Sequence, residues 1–141
     1  MNCPICKGEI NDMKCISCNY ILSQTKYDQN INQDIVQCKK DIDKGSIILD
    51  VRQSYEYECS NIKGILIPLD QLSKRFQELN KEKPIIAHCH SGGRSLHATR
   101  FLRQKGFKNV KNMEGGIEAW SLSIDPKVKR YQKDGVHAWH I

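Results

Sequence analysis

Seven of the 141 residues are cysteines, and their spacing separates them by the chemistry each could do. One stands alone. Cys89 ends the apolar run Pro84-Ile85-Ile86-Ala87-His88 and opens the loop His90-Ser91-Gly92-Gly93-Arg94-Ser95, after which a helical pattern begins. A thiol at the end of a buried strand and beneath a helix start faces the unpaired N–H groups of that first turn, a ready-made anion site. Gly92 and Gly93 can adopt the backbone angles a tight cradle needs, and Arg94 adds a permanent positive charge. Cysteines react as thiolates, which helix N-termini and cationic neighbours favour. The pattern predicts that Cys89 is a nucleophile and that His90, Ser91, Gly92, Gly93, Arg94 and Ser95 form the loop that binds its anionic substrate.

Four other cysteines fall in two C-x-x-C knuckles, Cys3/Cys6 and Cys15/Cys18, with eight residues between them. Two such pairs supply the closed four-sulfur shell that structural zinc prefers, so Cys3, Cys6, Cys15 and Cys18 are predicted metal ligands. Four thiolates also suit a rubredoxin-type iron, and a redox dithiol or sulfur-accepting relay is the rival use of the same residues. The segment is too short to build an apolar core, so ligation would supply its folding energy. It resembles a small zinc ribbon, and its expected role is docking to another protein. Gly8 and Asn19 suit the tight turn after each knuckle. Cys38 shares a helical face with Ile35 and Ile42 and reads as core; Cys59 reads as a packing thiol.

The elements that must position these groups alternate. A polar linker, with room for a short first strand near Tyr27 to Ile31, leads to a helix from about Gln33 to Lys44 that Gly45 stops. The compact runs Ile47-Leu49, Ile65-Ile67, Pro84-His88 and Asn109-Met113 suit buried parallel strands. Helical faces separate them: Tyr55 to Glu58, then Leu72, Phe76 and Leu79 with Asp70 near the start, then Ala98, Phe101 and Leu102 with Gly106 as the stop. Strand, helix, strand, helix argues for an α/β domain of three layers, a parallel sheet of about five strands covered by helices on both faces. Asp50 and Arg52 close a strand where function gathers in such sheets. They read as structural support: Arg52 is expected to pair with Glu56 one turn on, and Asp50 to hold backbone groups. Arg100 and Arg103 are expected to be solvated.

At these residues the chain resembles the rhodanese family. The matching pieces are Leu49-Asp50-Val51-Arg52, Glu56-Tyr57, Ile67-Pro68-Leu69, the loop from Cys89 to Ser95, and Glu114-Gly115-Gly116-Ile117-Glu118-Ala119-Trp120. The resemblance implies a sulfurtransferase that moves a sulfane sulfur from thiosulfate or another donor to a thiophilic acceptor through a Cys89 persulfide. The shorter loop, with four residues between Cys89 and Arg94, resembles the sulfur-transfer branch rather than phosphatases or arsenate reductases. A non-catalytic docking module is the other alternative. Sulfur transfer needs little proton traffic, so His88 and His90 are read as packing groups, and Ser91 and Ser95 as hydrogen-bond partners of the sulfur. One departure is Ser60-Asn61-Ile62, where relatives carry glycine-histidine-isoleucine; local repacking is expected there.

Length and charge fit this reading. The chain suits one domain with a small appendage: a zinc-ribbon-like segment over 1–22, a linker over 23–32, the rhodanese-like domain over 33–126 and a basic tail over 127–141 that folds back. An odd cysteine count disfavours a disulfide framework. The start of the chain lacks a secretory pattern and no apolar run would span a membrane, so a cytoplasmic location is expected. The net charge of +6 suits an anionic donor such as thiosulfate or an acidic acceptor protein, and the ribbon lacks the basic and aromatic density of a nucleic-acid binder.

Overall fold

Alternation of short apolar runs with amphipathic faces gives a parallel sheet wrapped by helices. The computed structural model describes residues 1–22, 25–132 and the backbone of 137–139. In chain order the elements are β1 (Ile10–Asn11), β2 (Lys14–Cys15), α1 (Thr25–Asp28), β3 (Asn32–Gln33), α2 (Ile35–Asp43), β4 (Ile47–Asp50), α3 (Ser54–Cys59) and β5 (Ile65–Leu66). There follow α4 (Leu69–Arg75) with a short 3-10 turn, β6 (Ile85–His88), α5 (Gly93–Gln104), β7 (Val110–Met113), α6 (Gly116–Ser123), β8 (Arg130–Gln132) and β9 (His137–Trp139). Five strands form one parallel sheet in the order β3-β7-β6-β4-β5.

The central strand β6 is buried along its whole length, as its unbroken apolar run requires. Its register pairs Asp50 with His88 on one side and Ala87 with Asn112 on the other. The carboxyl ends of β4, β6 and β7 therefore meet at one edge, and the Cys89 loop leaves from the middle of it. Leu49, Ile85, Ala87, Phe101, Leu102 and Val110 pack beneath one face, while Cys38, Ile86, Met113 and Trp120 form the cluster on the other. Cys38 is core, as its helical spacing suggested. Asp34 caps α2 by accepting the Gln37 N–H at 2.8 Å.

Three expectations are corrected. The stretch near Tyr27 to Ile31 holds the end of α1 and joins the main-chain ladder of the sheet only at its last carbonyl, Ile31 O, which accepts from the Asn112 N–H at 2.7 Å; the first strand of this sheet is Asn32–Gln33. The reason is Arg103, whose guanidinium reaches the carbonyls of Tyr27 and Gln29 at 2.9 and 2.8 Å and satisfies them in place of a neighbouring strand. Arg103 and Arg100 are accordingly not solvated: Arg100 is 9% exposed and pairs with Asp28 at 2.7 Å. Nor is Gly8 the residue with the left-handed turn; Lys7 takes it, at φ 68°, and Gly8 is small because a Cβ there would lie 2.6 Å from Ser17 Oγ.

The N-terminal unit is not a free appendage. Cys3, Ile5, Cys15 and Tyr20 belong to the same buried cluster as Leu72 and Phe101. Tyr20 hydrogen-bonds His97 at 2.8 Å and accepts from Arg100 at 2.9 Å, and Gln104 bonds both the N–H and the carbonyl of Ile21. At the other end, β8 lies against the domain: Arg130 pairs with Glu118 at 2.7 Å and Tyr131 is fully buried. The side chains of His137 and His140 lie outside the described residues.

Candidate active site

The sulfur of Cys89 is met by two main-chain donors. The N–H of Gly92 lies 3.1 Å from Sγ and the N–H of Ser95 3.4 Å; the Ser95 Oγ also lies 3.4 Å away, but its one proton goes to Asn112 Oδ1. Gly92 reaches this geometry at φ 111°, where a side chain would be strained, and thereby starts α5 directly over the sulfur. The carbonyls of the same loop turn the other way. Cys89 O accepts from Ile117 N–H at 2.9 Å and His90 O from Glu118 N–H at 3.1 Å, both at the start of α6. Gly116 makes this possible, since a Cβ on it would sit 2.5 Å from both carbonyl oxygens. The loop is thus a ring with N–H groups facing in and C=O groups facing out, suited to a negative charge on sulfur. Cys89 as a whole is 1% exposed.

Arg94 occupies the end of the ring, but its charge is not free. It makes a two-pronged pair with the buried Glu56, both contacts at 2.8 Å. Glu56 also accepts from the Gln53 N–H and the Tyr131 hydroxyl, each at 3.0 Å. Burial alone would push the Glu56 carboxyl up; Arg94 and these hydrogen bonds hold it below the ordinary carboxylate value. The expected Arg52–Glu56 carboxylate pair is therefore corrected. Arg52, fully buried, grips Asp50 at 2.6 and 2.8 Å and the main-chain carbonyls of Glu56 and Ser60, and donates to Tyr131 at 2.9 Å. It is the longer path from α5 that brings Arg94, rather than Arg52, to the carboxylate. Asp50 does hold a backbone group, the Arg52 N–H at 3.1 Å.

The two histidines beside Cys89 differ. His88 is buried; its Nε2 stands 3.6 Å from Asp50, and neither ring nitrogen has a hydrogen-bond partner among the described residues. Burial pushes it down, so it is neutral at pH 7. His90 packs on the Tyr131 ring, centroids 4.7 Å apart. Ser91 is exposed; of the two serines it is Ser95 that reaches the sulfur.

Sequence reasoning missed two supports. Asn112, 3% exposed on β7, accepts from the Ser95 hydroxyl through Oδ1, while its Nδ2 donates to Asn32 Oδ1 at 2.9 Å and Gly92 O at 3.2 Å. Those two acceptors fix the amide's orientation. A lone amide in a buried strand was the available signal. The other is Tyr131, which joins Arg52 to Glu56 and so ties the C-terminal strand to the Arg94 end of the loop; nothing in its local sequence marks it.

The four N-terminal cysteines come together as well. Their sulfurs all lie within 4.8 Å of one another, close enough to hold a metal ion. Cys3 and Cys18 are 3.8 Å apart and Cys6 and Cys15 3.5 Å, near the roughly 3.8 Å edge of a tetrahedron with about 2.3 Å zinc–sulfur bonds. Main-chain N–H groups of Ile5, Gly8 and Ser17 point at the sulfurs, as knuckle turns require.

A fold with a central parallel sheet, a cysteine loop at its carboxyl edge and a helix starting over the sulfur defines a class, and comparison places the chain in it. Residues 34–123 match the model of the Rhodanese-like domain, and the chain belongs to that family. It is 41% identical over 92 residues to YrkF of Bacillus subtilis, whose name describes a candidate sulfur carrier, covering 64% of this chain and 50% of that one. It is 35% identical over 86 residues to the thiosulfate sulfurtransferase GlpE of Haemophilus influenzae, covering 58% of this chain and 82% of that one. A crystal structure of a rhodanese-related protein from Thermoplasma volcanium superposes with a TM-score of 0.62 at 31% identity, over 66% of this chain and 92% of the other. The chain spans half the length of YrkF, and the match in each case leaves the N-terminal cysteines or the tail uncovered in part.

Proposed function

We propose that the protein is a sulfurtransferase that carries a sulfane sulfur on Cys89. The supporting observation is the pair of main-chain N–H donors on the Cys89 sulfur, which would stabilise a thiolate and then a persulfide anion. With thiosulfate, the Cys89 thiolate attacks the outer sulfur; the S–S bond breaks, its electron pair leaves with sulfite, and the enzyme keeps the sulfur as a persulfide. A nucleophile, cyanide in an assay or an acceptor protein's thiol in the cell, attacks that outer sulfur and returns Cys89 as thiolate. Likeness to a thiosulfate sulfurtransferase and to a named sulfur carrier favours this reading over phosphatase or arsenate-reductase chemistry. Because Arg94 is neutralised by Glu56, its part is to brace the ring, and charge on the donor is met chiefly by the N–H groups.

Cys3, Cys6, Cys15 and Cys18 would hold one structural zinc, with residues 1–22 as the metal-holding segment and 33–126 as the sulfur-transferring domain. Among the described residues no helix is long and apolar enough to cross a membrane, and a cytoplasmic setting with a protein acceptor fits free thiols. The test is thiocyanate release from thiosulfate and cyanide. The reading expects turnover by the wild type and none by Cys89→Ser; wild-type release at the uncatalysed rate would refute it.

A further inference from the structure

The four-cysteine unit has an open side. Cys3 and Cys15 are fully buried, whereas Cys6 and Cys18 are half-buried and line a cavity of about 420 Å³. Ser17 from the second knuckle, Ser73 and Lys74 from α4, and Lys105 at the end of α5 complete its wall, with no carboxylate among the described residues that line it. Lys74 is exposed and makes no ion pair among the described residues. The Lys105 ammonium donates to the Cys18 carbonyl at 3.3 Å and sits 5.8 and 5.3 Å from the centres of the Phe76 and Phe101 rings, so its charge too is held without a carboxylate. Each sulfur on the cavity has a buried one behind it. Cys15 Sγ lies 3.5 Å from Cys6 Sγ, and Cys3 Sγ lies 3.8 Å from Cys18 Sγ. A structural metal needs four sulfurs, but it does not need two of them to face a cationic cavity.

We propose that this cavity admits a small anionic disulfide, which oxidises Cys6 and Cys15 to a disulfide and so opens the metal site. The proposal rests on the metal-holding reading of the unit and is independent of sulfur transfer. Two ammonium groups beside two reachable sulfurs attract a negatively charged reactant to the place where it can react. The volume falls in the range of about 300–1,000 Å³ that takes small organic ligands. In the first step the Cys6 thiolate attacks one sulfur of R–S–S–R, the S–S bond breaks, and R–S⁻ leaves with the electron pair. The Cys15 thiolate then attacks the Cys6 sulfur of the mixed disulfide, and the second R–S⁻ leaves. Two cysteine thiolates are oxidised and one disulfide is reduced to two thiolates, with no other oxidant needed. A metal ion held by four thiolates would thereby lose two of them. The unit is then a thiol-redox sensor seated on α5, the helix that begins over the Cys89 sulfur.

The test uses zinc-loaded full-length protein carrying Cys89→Ser, so that the loop thiol does not compete. It is treated with anionic glutathione disulfide or with cationic cystamine, each rate being divided by that disulfide's rate with free cysteine. A chromogenic chelator follows zinc release, and peptide mapping by mass spectrometry locates the new bond. Glutathione disulfide is expected to release zinc the faster of the two, with a Cys6–Cys15 disulfide that dithiothreitol reverses. Lys74→Gln, at an exposed position, should lower the ratio of the two rates about fivefold, the size of an exposed charge contact near 1 kcal/mol. Oxidation confined to Cys38 or Cys59, no preference for the anionic disulfide, or a ratio unchanged by Lys74→Gln would each overturn the proposal. Mapping does not depend on zinc. A chain that binds no zinc yet forms the Cys6–Cys15 bond with the same charge preference would sink the metal-holding reading alone and support the cavity assignment.

Discussion

Glu56 is buried, yet it is ionised, because Arg94 meets both of its oxygens and the Gln53 N–H and Tyr131 hydroxyl take the remaining lone pairs. Breaking such a pair leaves a buried charge without its partner, at a cost of about 3–5 kcal/mol. Arg94→Ala, which strands the fully buried Glu56 carboxylate, should lose stability of that size in urea denaturation. The pH dependence follows in sign. The folded-state value of Glu56 lies below the ordinary 4.5, so the unfolded chain takes up its proton first as pH falls. Its contribution is complete above about pH 5 and fades as pH drops through the folded value. Wild type should show this acid loss of stability and Glu56→Gln should lack that share of it. At this scale the sequence was half legible. Cys89, Gly92, Arg94 and Ser95 could be read as one loop because they are contiguous. The partner of Glu56 could not: helical spacing favoured Arg52, while the true partner lies 38 positions away and arrives only through the packing of α5.

Two elements outside the loop hold its shape. The start of α6 takes the carbonyls of Cys89 and His90, and this approach has no room for a Cβ at position 116. Gly116→Ala must push the loop carbonyls away, and Gly116 also has φ 62°, so the variant is expected to lose most persulfide formation. Intact mass after thiosulfate treatment checks this, with circular dichroism as the folding control. The C-terminal strand β8 supplies Tyr131. Tyr131→Phe removes the hydrogen bond to the Glu56 carboxylate and the one from Arg52, and should cost at least about 1.5–3 kcal/mol of stability, read from the urea midpoint. The strands of the sheet were legible wherever an apolar run of three or more residues precedes a polar strand end, as in β4 and β6. Strand β3 was not, because two polar residues, Asn32 and Gln33, carry no periodicity and owe their pairing to β7. Nor was α1, whose neighbouring carbonyls are satisfied by a side chain from another helix.

Over the whole molecule, the N-terminal unit and the family domain share one buried cluster, in which Tyr20 lies 6.3 Å from the Phe101 ring. The sequence marked the unit's four cysteines as one group but not the unit's seat, since C-x-x-C spacing reports local geometry alone. If zinc holds the four cysteines, stripping it should unseat Ile5 and Tyr20 and expose the domain face they cover. Chelation is expected to lower the melting temperature of the entire chain by roughly 5–10 °C, the shift for about 2 kcal/mol in a domain of this length. A domain transition that stays in place after demonstrated metal loss would show the two parts to be energetically separate. The central claim concerns the sulfur at the middle of the N–H ring, and intact-mass measurement after incubation with thiosulfate tests it most directly. The account predicts that wild-type protein gains the mass of one sulfur atom, reversed by cyanide, and that Cys89→Ala gains none. An unmodified wild type, or a sulfur atom still acquired by Cys89→Ala, would contradict it.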